Sequence, residues 1–257
     1  MRTIKRFTSV LLVFAMLIAL LCSCEVLGEN GIGDDTPDVV TKASAEEIVT
    51  AAESALKANP YIVNMTIKYS SDDEAMQSAI KAFGTPKVKT EVNGDSFRIS
   101  MSFTKGGVES GITYTYLDGV LYTDLNEAGL VTGDYEDFTD ADKAELTESL
   151  GAGANISIDD FSKVIVIDNN GKSVINCGDI KDEPLEKLVA SLQAEMGEDI
   201  LVAIKNATLV ITTDCGKYTS TVFTCDYVIT TPDNAYNLTM TYTSNFTYGK
   251  NVVITAP

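Results

Sequence analysis

From residue 61 onward, apolar and polar side chains alternate with a period of two. Val63, Met65, Ile67 and Tyr69 alternate with Asn64, Thr66 and Lys68. Phe97, Ile99, Met101 and Phe103 alternate with Arg98, Ser100, Ser102 and Thr104, and Ile112, Tyr114 and Tyr116 continue the theme. That period predicts strands with one apolar and one polar face. Asn93-Gly94, Asp118-Gly119 and Asn170-Gly171 have the chemistry of tight hairpin turns, in which both central residues take positive φ. Val120–Leu125 returns from the second turn, and Val164–Ile167 and Ser173–Cys177 flank the third. The last part reads as strand over about 203–213, 218–230, 236–243 and 251–255, with Tyr236, Leu238, Met240 and Tyr242 alternating with asparagine and threonine.

Three segments switch to helical spacing. Ser44 and Glu47 read as a capping box ahead of Ile48, Ala52, Ala55 and Leu56, and Pro60 ends that run. Ser71 and Glu74 read as a second box ahead of Met76, Ala79, Ile80 and Phe83, closed by Gly84. Asp182 caps the third, with Pro184 in its first turn and Leu185, Leu188, Val189, Leu192 and Met196 on one face. Thr139–Leu150 is a fourth, polar candidate. The tally is about eleven strands and three or four short helices. The polar strand faces are rich in Thr and Ser and suit solvent, so the apolar faces need cover, which the amphipathic helices supply. The expected fold class is α+β: a single curved antiparallel sheet with short helices packed in its concave face.

The N-terminus follows different rules. Arg2, Lys5 and Arg6 precede Phe7–Leu21, a 15-residue run without charge. That is short for a membrane span and suited to a signal-peptide core. Leu21-Cys22-Ser23-Cys24 then reads as a lipobox, with an aliphatic residue at −3 and a small one at −1. Cys24 is the expected lipidation site; Cys22 would place Leu21 where a small residue is wanted. The expected organisation is a signal peptide over 1–23, a lipidated cysteine and Gly/Pro/Asp-containing tether over 24–42, and one domain over 43–257. The protein is then held at the extracytoplasmic face of the cell membrane by diacylglycerol and palmitate-type chains, which suffice for stable anchoring.

Charge narrows the partners. Residues 1–23 hold three of the 19 basic residues and no acidic one, so the mature chain carries 16 basic against 37 acidic residues, a net charge of −21. Such a surface repels phosphate backbones, and nucleic acid is not an expected partner. Asp34-Asp35 and the run from Asp134 to Asp142 read as solvated loops. After Cys24 only Cys177, Cys215 and Cys225 remain, so at most one disulfide can form among them. Cys225 shares a strand face with Phe223, Tyr227 and Ile229 and is expected to be a buried apolar thiol. Cys215-Gly216 looks like a turn.

Much catalytic chemistry is missing from the sequence. There is no histidine, which removes His-dependent triads and the imidazole ligands of most catalytic zinc sites. Gly171-Lys172-Ser173 resembles the end of a phosphate-binding loop, but Val166 stands at its first glycine position. Asp137, Thr139 and Glu148 fit an EF-hand-like frame that Ala141 and Asp142 spoil. Asn64, Asn155, Asn206, Asn237 and Asn245 lie in Asn-x-Ser/Thr triplets, read as Thr-rich strand chemistry in a bacterial chain. Neither a catalytic residue, a metal site nor a cofactor is expected.

The order of a lipobox, a tether, a capped helix, a long meander, one late amphipathic helix and a closing group of strands resembles the LolA/LolB-like half-barrel. It is nearest in appearance to LppX/LprG-type and similar Gram-positive lipoproteins. The ending Asn245-Phe246-Thr247-Tyr248-Gly249, followed by Val252-Val253-Ile254 and Pro257, is similar to the way such chains end. The resemblance covers about residues 44–257 and carries no catalytic signature. It implies a half-barrel that binds a lipid or lipid-modified chain between sheet and helices, through apolar contacts that no motif defines. On that reading the candidate ligand-binding residues are Met101, Phe103, Leu188, Leu192 and Met240, in a monomeric, non-enzymatic protein. The alternative is a structural or protein-interaction module of the cell envelope with the same fold and a filled core.

Overall fold

The computed structural model describes residues 42–105, 108–127, 130–137, 156–196, 200–249 and 251–257. The signal peptide, Cys24, the tether, the polar helix expected at 139–150 and most of the EF-hand-like frame lie outside them.

Two hairpin meanders make one sheet. The first comprises β1 (Tyr61–Ser70), β2 (Lys87–Asn93), β3 (Ser96–Lys105), β4 (Val108–Leu117), β5 (Val120–Glu127) and β6 (Leu130–Asp137). The second comprises β7 (Phe161–Asn169), β8 (Lys172–Ile180), β9 (Leu201–Asp214), β10 (Lys217–Thr230) and β11 (Ala235–Tyr248). The order is β6-β5-β4-β3-β2-β1-β11-β10-β9-β8-β7, eleven strands in an open antiparallel sheet. The first and last strands join the meanders, in register from Tyr61 opposite Tyr248 to Ser70 opposite Thr239. Tight turns form as expected at Asp118-Gly119, Asn170-Gly171 and Cys215-Gly216, where Asp118, Asn170 and Cys215 take φ of 53°, 54° and 50° and each is followed by a glycine at positive φ. In the β2–β3 hairpin Asn93 stays in the strand, opposite Ser96, so the turn is Gly94-Asp95, one residue later than expected.

The strand count agrees with the expectation, but the membership differs. Residues 251–255 form no strand. They run as a tail held by the Asn93 side-chain amide, which donates to the Val252 carbonyl at 3.0 Å, and by Arg98, which donates to the Thr255 carbonyl at 2.7 Å. The missing strand is β6, whose Asp134, Glu136 and Asp137 fall in the run expected to be a solvated loop. An edge strand tolerates such charges and is protected by them against further pairing.

Among the described residues three α-helices accompany the sheet: α1 (Lys42–Ala58), α2 (Glu74–Phe83) and α3 (Asp182–Met196). α1 begins at Lys42, which places Ser44 and Glu47 inside the helix rather than in a capping box. α2 is capped by Asp73, whose carboxylate accepts the Met76 N–H at 2.9 Å. Ser71 is drawn away to the Asn237 carbonyl, where it ties the helix entry to β11. α1 lies on β7 and β10, α2 on β1 and β3, and α3 on β9. All three feed one buried cluster, through Ala45, Val49 and Ala52 from α1, Met76 from α2, and Leu188 and Leu192 from α3. Gln193 of α3 also completes the start of β9: its amide donates to the Ile200 carbonyl and accepts the Val202 N–H. β8 pairs with β9 only as far as Cys177 opposite Leu209, so this side chain stands in for a strand where the ladder stops.

Candidate functional site

The registers put one set of residues on one side of the sheet. Across its middle they align Tyr69, Met240, Cys225 and Ala207 as a row on β1, β11, β10 and β9. Farther out, Val88, Met101 and Ile112 align on β2, β3 and β4. The residues at i±2 from each of these share the face. The sequence alternation and the observed pairing therefore agree on which side chains form the apolar surface.

Its two halves are covered differently. From β8 to β1 most of it is buried: Met240, Ile175, Cys225, Ala207 and Ile67 are each 0 % exposed, while Tyr69, Tyr236 and Phe246 are partly accessible. On β3 and β4, Phe97, Ile99, Met101, Phe103, Ile112 and Tyr114 are only partly buried. Tyr116 and Leu121 close this half toward the β4–β5 turn, with Phe97 stacked on Tyr116 at 5.4 Å between ring centres. α2, ten residues long, lies on β1 and β3 at the border between the halves.

The five candidate residues divide along that border. Met240 lies in the more buried half, where its sulfur accepts a hydrogen bond from the Tyr242 hydroxyl at 3.3 Å. Leu188 and Leu192 are buried in the core cluster beneath α3. Met101 and Phe103 keep accessible surface. The structure thus brings Met101 and Phe103 together with Ile99, Ile112 and Tyr114, which the sequence reading had not singled out, and places the other three candidates in the packed core.

The more buried half contains a polar cluster that alternation alone does not reveal. The hydroxyls of Tyr242 and Tyr227 are hydrogen-bonded, and Tyr227 bonds the Cys225 sulfur. Burial pushes the pKa values of Tyr69, Tyr227 and Tyr242 above the usual phenol value. It pushes the thiols of Cys225 and Cys177 up to about 12. At neutral pH these groups hold their protons, so they are poor nucleophiles and bases. Cys177, Cys215 and Cys225 are all free thiols, and Cys215 is exposed in its turn. Glu53, on α1, is 6 % exposed with one buried carboxylate oxygen lacking a hydrogen-bond partner among the described residues. Burial raises its pKa, and the positive charge of Lys57 opposes the shift. No group of three or more potential metal ligands occurs among the described residues. No described helix is long and apolar enough to cross a membrane.

No protein-family model matches this chain. No curated protein matches it either. Among solved structures, the chain has a remote likeness to the MucA/MucB complex of Pseudomonas aeruginosa. That match has 11 % sequence identity and a TM-score of 0.28, covering 77 % of this chain and 93 % of the other. A crystal structure of MucB in complex with MucA(peri) matches at 10 % identity and a TM-score of 0.14, covering 79 % and 94 %. Likeness at this level carries no inference about what this chain binds.

Proposed function

We propose that this chain is an exported lipoprotein, anchored through Cys24, that holds the apolar part of an amphiphile against the β3–β4 half of its sheet. On this reading the sheet curves as a half-barrel with the helices in its concavity, and the protein binds without catalysing a reaction. One observation carries the proposal. A single continuous apolar face is mostly buried from β8 to β1, with Tyr69, Tyr236 and Phe246 partly accessible, and is only partly buried over much of β3 and β4, where Ile99, Met101, Phe103, Ile112 and Tyr114 gather. The anchor would keep that half beside a reservoir of amphiphiles. At about 25 cal/mol per Å², burying an acyl chain of roughly 300 Å² contributes on the order of 7 kcal/mol before association costs. The protonated state of the buried tyrosines and thiols, and the absence of histidine, favour binding over acid–base chemistry.

The test is titration of the soluble domain, from Lys42 onward, with a fluorescent fatty acid. The expected result is saturable binding that Met101→Trp weakens by filling the half-covered surface. Signal that never saturates, or that Met101→Trp leaves unchanged, counts against the site. The anchor is tested separately. Cys24→Ala should block lipid labelling and leave the precursor uncut, and normal labelling of that variant would move the site or remove it.

A further inference from the structure

The two edges of the sheet are built differently. β6 carries Asp134, Glu136 and Asp137 together with Gly133, a composition that discourages added strands. β7 carries the uninterrupted run Val164-Ile165-Val166-Ile167. Its Val164 and Val166 turn inward to the core, while Ile165 and Ile167 stand 47 % and 59 % exposed on the opposite face. They are two of only four large apolar side chains so exposed among the described residues. β7 pairs with β8 on one side, and no described strand lies on the other. A β-branched run with an open ladder is a template for pairing with another strand.

We propose that β7 is a self-association edge, at which a second copy of this chain adds its own β7 antiparallel to the first across a two-fold axis. Two features favour a copy over an unrelated strand. The first is self-complementarity. In an antiparallel pair, directly opposed residues share a face, and the register that pairs the whole of Phe161–Asn169 is centred on Ile165. It sets Ile165 against its own counterpart and Ile167 against the aliphatic stem of Lys163, so the exposed isoleucines of the two copies form one apolar patch. The second is charge. The whole chain has 37 acidic and 19 basic residues, and two copies repel one another over most approaches. Around this edge lysines break up the acidic surface: Lys163, Lys172 and Lys181 stand among Asp159, Asp160, Asp168, Asp179 and Asp182, and Lys172 lies 4.0 Å from Asp214. The β7 edge therefore combines a ladder without a described partner strand and exposed isoleucines with lysines that lessen the repulsion between copies. The inference is independent of the amphiphile reading, because the face it uses is the outer one.

Disulfide trapping tests the register directly. The full chain, with Cys215→Ser to remove the exposed thiol, is purified in mild detergent and oxidised with copper phenanthroline. Ile165→Cys should give a covalent dimer, because residue 165 meets itself at a separation a disulfide can bridge. Ile167→Cys should not, because the two copies of residue 167 are then about 14 Å apart along the strands. Ile165→Lys with Ile167→Lys should convert the untrapped protein to monomer that keeps the parent's circular-dichroism spectrum and melts independently of protein concentration, as both side chains are on the surface. The proposal is overturned if Ile165→Cys stays monomeric, if both cysteine variants cross-link equally, or if residue 165 is captured only by a protein of another mass.

Discussion

Two methionines on the same face make a controlled experiment. Met240 is 0 % exposed, with Tyr69 and Cys225 opposite it on neighbouring strands. Met101 is partly buried between Val88 and Ile112. Replacing each by alanine removes the same three heavy atoms from the same kind of sheet position. At Met240 the loss combines the transfer term for a fully buried side chain, about 2 kcal/mol, with a cavity term. A void of roughly 60 Å³ at about 24 cal/mol per Å³ adds on the order of 1.5 kcal/mol. The Tyr242 hydroxyl also loses the sulfur it donates to. Met240→Ala is therefore expected to cost about 4 kcal/mol. At Met101, which is partly accessible, about three quarters of the transfer term applies and solvent can enter the space left, so the expected cost is about 1.5 kcal/mol. Urea unfolding of the soluble domain, with equal m-values across the set, measures both. Equal costs, or a larger one at Met101, would refute the contrast between a buried and a partly covered face on which the functional proposal rests.

Other expectations follow from the same packing. Leu188→Asp puts a carboxylate into the core beneath α3 and should cost about 3 kcal/mol or more, so a melting temperature within a degree of the parent would show that α3 is not seated there. Glu53→Gln should change the pH dependence of stability. Burial raises the folded-state pKa of Glu53, so below the ordinary carboxylate range folded and unfolded forms both hold the proton and the two proteins should match. As pH rises the unfolded chain ionises first, and the parent should lose stability relative to the variant until the folded carboxyl has ionised too; melting curves that diverge in the opposite direction would remove the buried carboxyl from the account. With Ellman's reagent the folded soluble domain should titrate Cys215 quickly, and Cys177 and Cys225 only after unfolding; three fast thiols would contradict their burial.

Features written in two or three adjacent residues were legible before folding. Asp118-Gly119 and Asn170-Gly171 mark turns because positive φ is a local requirement that few residue pairs meet. Asn93-Gly94 marked its hairpin but missed the register by one residue, since Asn93 pairs with Ser96 and Gly94-Asp95 make the turn. Alternation likewise told which side chains share a face, since the period of a strand is set by its own backbone. Features set by distant partners were not legible. Ser71 and Asp73 offer near-equivalent caps for α2, and the Asn237 carbonyl, 166 residues away, engages Ser71 and leaves the cap to Asp73. β6 was hidden because its acidic residues suit both a loop and an edge strand. The site suffered most from this limit. Met101 and Met240 occupy the same phase of the same pattern, and only the positions of α1, α2 and α3 over the sheet separate a half-covered methionine from a buried one.

The central claim is that the half-covered face of β3 and β4 holds an amphiphile. Mass spectrometry of an organic extract from the purified soluble domain tests it most directly. The account predicts a lipid or fatty acid in stoichiometric amount from the parent and a reduced amount from Met101→Trp. A lipid-free extract from a folded domain, with no saturable uptake of added fatty acid, would contradict it and leave a filled-core interaction module in its place.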